Sequence, residues 1–132
     1  MSKFATAEDL RRIEEGGPWA ERDNPVTLYE RLSRTVAEHG SRDAISFQIL
    51  SGPTDKAETL SWSDFHKKVT QAANLFRKLG VGKDDVVAYI LPNCNETAIT
   101  LVGACVAGVA NPINPLLDAE QIGALLRETG AK

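Results

Sequence analysis

Cysteines, aromatic residues and long apolar runs are all scarce in this sequence of 132 residues. Its two cysteines, Cys94 and Cys105, are too few for a disulfide framework or a four-ligand zinc site, so we expect reduced thiols, with a single structural pair as the alternative. The most apolar run, residues 98–110, is too short to cross a bilayer. No apolar signal-peptide core follows Met1. These absences favour a cytoplasmic protein.

No stretch of the chain carries a block of like charges. The 15 basic and 18 acidic residues are spread along the sequence, and the formal net charge is −3. A charged surface for nucleic acid or for membranes is therefore not indicated. The hydrophobic share of 42% and the charged share of 25% are ordinary for a folded protein, and the length suits one domain.

Helical periodicity and turn residues divide the first third of the chain. The pattern predicts a short polar helix over 6–15, ended by the Gly-Gly-Pro that follows it. An arm without regular structure is expected over 19–25. A second helix is expected over 27–39, with Gly40 as its left-handed cap.

An antiparallel hairpin and a long amphipathic helix are expected next. Residues 44–50 and 58–62 are predicted to be extended segments joined by a turn-rich loop. A helix over 63–79, capped by Ser63, would then present one apolar stripe. The residues of that stripe are Phe65, Val69, Ala72, Ala73, Phe76 and Leu79.

Beyond this helix, strands and helices alternate. Gly80 is placed to be a left-handed cap, with Val81 folding back on Phe76. The continuous apolar run 86–91 predicts a buried parallel strand, and 109–113 predicts a second. The order helix, strand, helix, strand, helix predicts an α/β fold with a partial parallel sheet and right-handed crossovers.

The ends of the two remaining helices are marked by capping residues. Asn93 or Asn95 is expected to cap a helix that ends at Gly108. Asp118 with Gln121 predicts a capping box for the last helix. The residues that this last helix should bury are Ile122, Leu125 and Leu126.

The C-terminal residues suggest an incomplete sheet. Gly130 should end the last helix, so that Ala131 and Lys132 would begin a further strand. We therefore expect the chain to be a piece of a longer protein. We divide it into residues 1–26, an N-terminal helix and extended arm, and residues 27–132, an incomplete first α/β subdomain.

Two glycine pairs have the spacing of phosphate loops but lack what such a loop needs. Residues 103–108 are followed by Val109 and Ala110, where lysine and serine or threonine are required. Residues 80–83 follow a helix and precede a strand, the reverse of the order that places amides at a helix N-terminus. We interpret 103–108 as small residues that let a helix pack closely on the sheet.

No other residue forms a recognisable site. His39 is expected at a helix C-terminus and His66 on an exposed, lysine-rich face, without a second metal ligand at the right spacing. Ser63 lacks the context of a hydrolase nucleophile. Asp84 and Asp85 are interpreted as solvated turn residues. The residues alone therefore indicate no catalytic, cofactor-binding or metal-binding group.

Five ordered regions of the sequence nevertheless carry a resemblance to a known family. They are LSWSDF at 60–65, AANLFRKLGVGKDDVVA at 72–88, LPNCNE at 91–96, ACVAGVANPINP at 104–115, and LDAEQI at 117–122 with TGAK at 129–132. In this order they resemble the motifs of AMP-forming acyl-CoA synthetases, which are adenylate-forming enzymes. The first match is loose, at Trp62, Asp64 and Phe65. The third and fourth segments favour acyl-CoA and fatty-acid ligases over peptide-synthetase adenylation domains.

The resemblance implies the opening part of the N-terminal domain of such an enzyme. In the full-length enzyme a carboxylate would react with ATP, assisted by Mg²⁺, to give an acyl-adenylate and pyrophosphate, and CoA would then displace AMP. The family's phosphate loop, ribose-binding aspartate and catalytic lysine have no counterpart in these 132 residues. We therefore expect no bound cofactor and no activity in this chain by itself.

Two alternatives stay open: a free-standing α/β interaction module, and a piece of another adenylating enzyme, luciferase-like or amino-acid-activating. The expected partner of the chain is the remainder of its own full-length protein, whose substrate would be a fatty acid or another carboxylic acid. An open strand edge and apolar helix faces also predict self-association.

Overall fold

The computed structural model describes residues 6–22, 27–50 and 52–132. The helices in these ranges are α1 (Ala7–Glu14), α2 (Trp19–Arg22), α3 (Leu28–His39), α4 (Trp62–Lys78), α5 (Asn95–Ala107) and α6 (Ala119–Thr129). The strands are β1 (Asp43–Phe47), β2 (Glu58–Ser61), β3 (Val86–Tyr89) and β4 (Val109–Pro112).

The N-terminal helix α1 forms where it was predicted. Thr6 and Asp9 make a capping box, in which the Asp9 N–H donates to the Thr6 hydroxyl at 3.1 Å. No residue of α1 is buried. The capping box therefore fixes the start of this helix, while burial contributes little to it.

The prediction of an arm without regular structure is wrong for Trp19–Arg22, which forms the short helix α2. Pro18 precedes it, and its carbonyl accepts from the Glu21 N–H at 3.0 Å. Proline favours the first turn of a helix because its φ is already fixed near the helical value. The rest of the predicted arm, residues 23–25, lies outside the described residues.

Helix α3 ends against the start of α4, and Gly40 lies at this junction. Gly40 was predicted to be left-handed, but its φ is −50°, so that prediction is wrong. A Cβ at Gly40 would lie 2.6 Å from the Ser63 Oγ and 2.8 Å from the Val36 carbonyl oxygen. The Gly40 carbonyl also accepts from the Ser63 N–H at 3.0 Å. Glycine is therefore needed here for close approach and not for a positive φ.

The predicted hairpin is confirmed. Strands β1 and β2 are antiparallel, with Phe47 opposite Glu58 and Ile45 opposite Leu60. Helix α4 follows β2 directly, and its N-cap is Ser61, not Ser63 as predicted. The Ser61 hydroxyl accepts from the Asp64 N–H at 3.1 Å, whereas Ser63 is held by Gly40.

The apolar stripe of α4 joins two cores. One core lies between α3 and α4 and consists of Leu32, Phe65 and Val69. The other lies between α4, α5 and β3, and its buried members are Ala73, Val81, Val87, Ala104 and Ala107. Leu79, which was predicted to belong to the stripe, is exposed, because no described element covers that end of the helix.

The predicted parallel strands are confirmed. Val86 in β3 is paired with Val109 in β4, and the register continues to Tyr89 opposite Pro112. The turn before β3 also forms as predicted, since Gly80 has a φ of +89° and the Val81 N–H donates to the Phe76 carbonyl at 3.0 Å. Helix α5 connects the two strands on the face that carries Val87.

Helix α6 has the predicted capping box of Asp118 and Gln121, and it ends at Gly130 as predicted; Gly130 is left-handed, with a φ of +58°. None of its residues is fully buried, and Leu126, expected in the buried face, is exposed. After α6 the chain returns to the sheet, where the Lys132 N–H donates to the Val86 carbonyl at 2.9 Å. This bond lies on the edge of β3 that faces away from β4.

Candidate functional site

The segment 80–83 closes around a carboxylate of the chain itself. The Gly82 N–H donates to the Asp85 Oδ2 at 2.7 Å, and the Asp85 N–H donates to the Gly82 carbonyl at 3.1 Å. A phosphate at this amide would meet a negative charge that is already bound there. The loop is therefore a closed turn and does not fit a nucleotide phosphate.

The glycines of the segment 103–108 serve packing. A Cβ at Gly103 would lie 2.8 Å from the Cβ of Ala72, and a Cβ at Gly108 would lie 2.4 Å from the Asp85 carbonyl oxygen. The expectation of close packing is thus confirmed, with a correction. Gly103 lets α5 approach helix α4, whereas only Gly108 faces the turn that leads into the sheet.

The two aspartates before β3 have different surroundings. Asp84 is exposed, as predicted, with Lys83 at 3.8 Å. Asp85 is not simply solvated, because the Lys132 Nζ donates to it at 2.8 Å and also to the Gly80 carbonyl at 3.0 Å. The hydrogen bond from Lys132 is the largest cause that lowers the pKa of Asp85, followed by the bond from the Gly82 amide. Asp85 is therefore a structural anion that ties the C-terminus to the turn before β3.

His66 lies between helices α3 and α4, so its predicted position on an exposed face is wrong. Its Nε2 is 3.1 Å from the Ser33 Oγ, and its ring centroid is 5.0 Å from that of Tyr29. The periodicity of α4 does not reveal this contact, because it depends on where α3 packs. His39 lies at the C-terminal end of α3, as predicted, 3.8 Å from Glu38.

The directions of the hydrogen bonds show what the pair of Ser33 and His66 can do. The Ser33 hydroxyl donates to the Tyr29 carbonyl at 2.9 Å, so it accepts from His66, whose Nε2 must carry the proton. A histidine that donates to a serine cannot remove the proton of that serine. In the same way, the Thr70 hydroxyl donates to the His66 carbonyl and accepts from the Tyr29 hydroxyl at 3.0 Å. These residues join two helices and do not form an activated nucleophile.

The N-terminus of α5 differs from the prediction. Its N-cap is Cys94, which makes no capping hydrogen bond, and neither Asn93 nor Asn95 caps the helix. Asn95 is instead 1% exposed, and its Nδ2 donates to the Glu58 carbonyl at 3.0 Å. The side chain that was expected to cap α5 therefore fastens α5 to the hairpin. Both cysteines are free thiols in the structure.

The carboxyl ends of β3 and β4 are where open α/β sheets commonly bind ligands. Two polar atoms near this end, the Tyr89 hydroxyl and the Asn111 Nδ2, are buried and have no hydrogen-bond partner. Burial raises the pKa of Tyr89, and Cys105 adds to the effect. The register places Asn111 beside Ala88, so Asn111 and Tyr89 point to opposite faces of the sheet. The two groups therefore do not converge on one site.

A groove of about 430 Å³ lies between α3, α4 and α5. Its lining residues are Thr27, Leu28, Tyr29, Thr70, Ala73, Asn74, Arg77, Cys105 and Val106. The Arg77 guanidinium donates to the Val106 carbonyl at 3.0 Å, and the Tyr29 and Thr70 hydroxyls bond each other. The lining contains neither a carboxylate nor a histidine. The groove is therefore a cavity whose lining contains no acid–base pair.

The described residues contain neither a cluster of metal ligands nor a membrane-spanning helix. Among the described residues, no three His, Cys, Asp or Glu side chains are grouped closely enough to hold a metal ion. Likewise, no helix in residues 6–22, 27–50 or 52–132 is long and apolar enough to span a membrane. This part of the chain therefore offers no cluster of carboxylate or histidine ligands for Mg²⁺.

Residues 32–132 match the family model of the AMP-binding enzymes. The chain belongs to this family. It is 31% identical to the marinolic acid–CoA ligase of Pseudoalteromonas sp. (strain SANK 73390), over 92% of this chain and 18% of that protein. It is 32% identical to 4-coumarate–CoA ligase 3 of Oryza sativa subsp. japonica, over 87% of this chain and 20% of that protein.

The fold agrees with the family. The structure of a fatty acyl CoA synthetase of Mycobacterium tuberculosis matches 80% of this chain with a TM-score of 0.68 and 25% identity, and the chain covers 20% of it. The predicted resemblance and the predicted α/β fold are therefore confirmed. This AMP-binding family chain spans about a fifth of the length of the relatives that it matches.

Sequence reasoning missed three groups in the region of the candidate site. Tyr89 and Asn111 could have been noticed as polar residues inside otherwise apolar strands. The buried role of Asn95 had no such signal, since asparagine before a helix ordinarily indicates a cap. That no residue of this chain is catalytic, cofactor-binding or metal-binding stays a prediction.

Proposed function

We propose that this chain is the scaffold segment of a carboxylate–CoA ligase. The observation that carries the proposal is the 31% identity to a CoA ligase over 92% of the chain. In the whole enzyme, a carboxylate oxygen would attack the α-phosphorus of ATP and release pyrophosphate, with Mg²⁺ stabilising the phosphate charge. The CoA sulfur would then attack the acyl carbonyl carbon and release AMP.

The same proposal includes residues 27–132 as an incomplete first subdomain. It also includes a cytoplasmic location, which agrees with the two free thiols.

The chain itself is proposed to be inactive. Two of its titratable side chains are engaged in its own fold: Asp85 binds Gly82 and Lys132, and His66 donates to Ser33. Among the described residues, no three His, Cys, Asp or Glu side chains are grouped at one place. Its contribution would be the hairpin and the parallel strand pair on which the remainder of such an enzyme is built.

Reading the coding sequence beyond Lys132 tests the proposal most directly. We expect a Gly/Ser/Thr-rich phosphate loop and a C-terminal lysine-bearing domain downstream. A stop codon at this position, with no such loop following, would contradict the ligase proposal and favour a free-standing interaction module.

The inactivity of the chain is tested separately by pyrophosphate release. Purified chain is incubated with ATP, Mg²⁺, CoA and a panel of fatty and aromatic acids, and a complete CoA ligase serves as the positive control. We expect a rate equal to that without protein. Turnover that follows the chain through purification would show that a catalytic group is present among these 132 residues.

A further inference from the structure

The groove between α3, α4 and α5 carries one positive charge. Among the described residues that line it, only Arg77 is charged. The Arg77 Nη2 donates to the Val106 carbonyl at 3.0 Å, and this bond holds the side chain at the groove. A guanidinium has five N–H donors, and no carboxylate of the described residues forms an ion pair with this one. Arg77 therefore has donors left for an anion.

Two further features favour an anion in this groove. Asn74 lies one turn before Arg77 on α4 and also lines the groove, so its side-chain amide can donate beside the guanidinium. Helix α3 begins at the groove, where its N-cap Thr27 is a lining residue, and the positive end of its dipole adds to the charge of Arg77. The carboxylate closest in sequence to this helix end, that of Glu30, is bound to Arg34. The described residues therefore leave the charge of Arg77 without a counterion.

Between its polar groups the lining is apolar. Ala73 forms the floor, with 1% of its surface exposed, and Leu28 and Val106 form the walls, with Leu28 46% exposed. Thr70 and Arg77 are seven residues apart on α4, so the groove runs about 10 Å along this helix. Its volume of about 430 Å³ lies in the range of sites for small ligands. The groove therefore suits a ligand with an apolar body and an anionic head group.

We propose that the groove binds a small organic monocarboxylate, with the carboxylate on Arg77 and the apolar body against Leu28, Ala73 and Val106. The planar guanidinium matches both oxygens of a carboxylate. One negative charge is balanced by the one positive charge of the lining, whereas a phosphate monoester carries nearly two and would stay partly uncompensated. This inference does not depend on the proposed ligase activity, because it concerns binding alone.

Titration of the chain with octanoate, followed by the NMR chemical shifts of the backbone amides, tests the proposal. We expect saturable shifts at the lining residues. Octanamide has the same chain without the charge and should bind at least about tenfold more weakly, because the charge-assisted hydrogen bonds are lost. Arg77→Gln should weaken octanoate binding by the same factor. Lys78→Gln removes a positive charge from the adjacent residue, which does not line the groove, and should leave binding unchanged.

The two thiols give a second measurement. Cys105 is exposed and lines the groove, whereas Cys94 does not line it. Octanoate should slow the alkylation of Cys105 by iodoacetamide in proportion to the occupied fraction, and the rate at Cys94 should not change. Arg77→Gln should reduce this protection at the same octanoate concentration.

Far-UV circular dichroism confirms that each variant is folded, and the comparison of octanoate with octanamide needs no variant. Three results would each overturn the inference. They are equal binding of octanoate and octanamide by the wild type, equal binding of octanoate by the wild type and a folded Arg77→Gln variant, and an unchanged alkylation rate of Cys105 at saturating octanoate.

Discussion

Gly108 is the position at which a single methyl group should damage the fold most. It follows α5 and precedes β4, and its φ of −162° lies outside the left-handed region that favours glycine. The difficulty is one of space. A Cβ there would lie 2.4 Å from the Asp85 carbonyl oxygen, 2.6 Å from the Gly82 carbonyl oxygen and 3.0 Å from the Val81 Cγ1.

The cost can be worked from these contacts. Ordinary Cβ contacts begin near 3.4 Å, so the backbone at Gly108 or Asp85 must move by about 1 Å. Such a shift separates the Val109 N–H from the Asp85 carbonyl, the first bond of the parallel pair, now 2.9 Å long. Losing this bond costs about 1 kcal/mol, and overpacking costs about 1–3 kcal/mol. We expect Gly108→Ala to lower the free energy of unfolding by about 2–4 kcal/mol.

Gly80→Ala is the matched control. A Cβ at Gly80 has no atom within 4 Å, but the φ of +89° disfavours any side chain. Its cost is therefore backbone strain alone, about 1–2 kcal/mol. Both substitutions add one methyl group to a glycine beside the same turn, so the pair separates crowding from strain.

Urea unfolding, followed by far-UV circular dichroism, measures both variants at a protein concentration low enough to avoid association. The midpoint of Gly108→Ala should lie below that of Gly80→Ala, with similar slopes. If Gly108→Ala does not fold while Gly80→Ala does, the order is the same. A Gly108→Ala variant as stable as Gly80→Ala would refute the close approach of α5 to the turn before β3.

Three further substitutions, two of them with a matched control substitution, test the polar groups. Tyr89→Phe should leave stability unchanged or raise it by about 1–2 kcal/mol in urea unfolding, because the Tyr89 hydroxyl is buried without a partner. Its control, Tyr29→Phe, should lower stability by about 1 kcal/mol, because it breaks the bond between the Tyr29 and Thr70 hydroxyls. Asn95→Ala should lower the free energy of unfolding by about 1–2 kcal/mol, because it releases α5 from the Glu58 carbonyl. Its control, Asn93→Ala on the exposed loop, should lower it by less than about 0.5 kcal/mol, which is the scatter of surface substitutions. The folded-state pKa of Asp85 lies below the ordinary value of 3.8, so the Asp85 carboxylate stabilises the fold above that pH. This stabilisation is lost as the pH falls through the folded-state pKa. In urea unfolding, the stability difference between the wild type and Asp85→Asn should therefore be constant near neutral pH and shrink below pH 3.8. A stability difference that is independent of pH would show that Lys132 does not hold this carboxylate.

Local patterns predicted most of the elements, because their causes lie within a few residues. The capping box of Asp118 and Gln121 and the left-handed turn at Gly80 each depend on neighbours in sequence. The parallel pair was predictable because a strand buried on both faces has a continuous apolar sequence. The errors share a different cause. Gly40 and Ser63 lie where α3 meets α4, and their conformations are set by a contact between distant segments.

The same distinction applies to the candidate site. His66 was placed on the surface because α4 by itself presents it beside lysines, and only the position of α3 shows that it is half-buried. Asn95 had the sequence context of a cap, yet the hairpin carbonyl of Glu58 competes successfully for its amide. Sequence periodicity describes one element at a time, so side chains that join two elements are the ones it misplaces.

The polar contacts also show how this part of the family chain fixes the relative placement of its elements. Asp85, His66 and Asn95 each hold together segments that are distant in the chain: the C-terminus and the turn before β3, two helices, and a helix and a hairpin. Gly40, Gly103 and Gly108 allow the same elements to approach more closely than a Cβ would permit. Both groups of residues constrain the relative placement of elements, which is what a scaffold must supply. We therefore expect substitutions at these six positions to act first on stability, and on activity in a complete enzyme only through it.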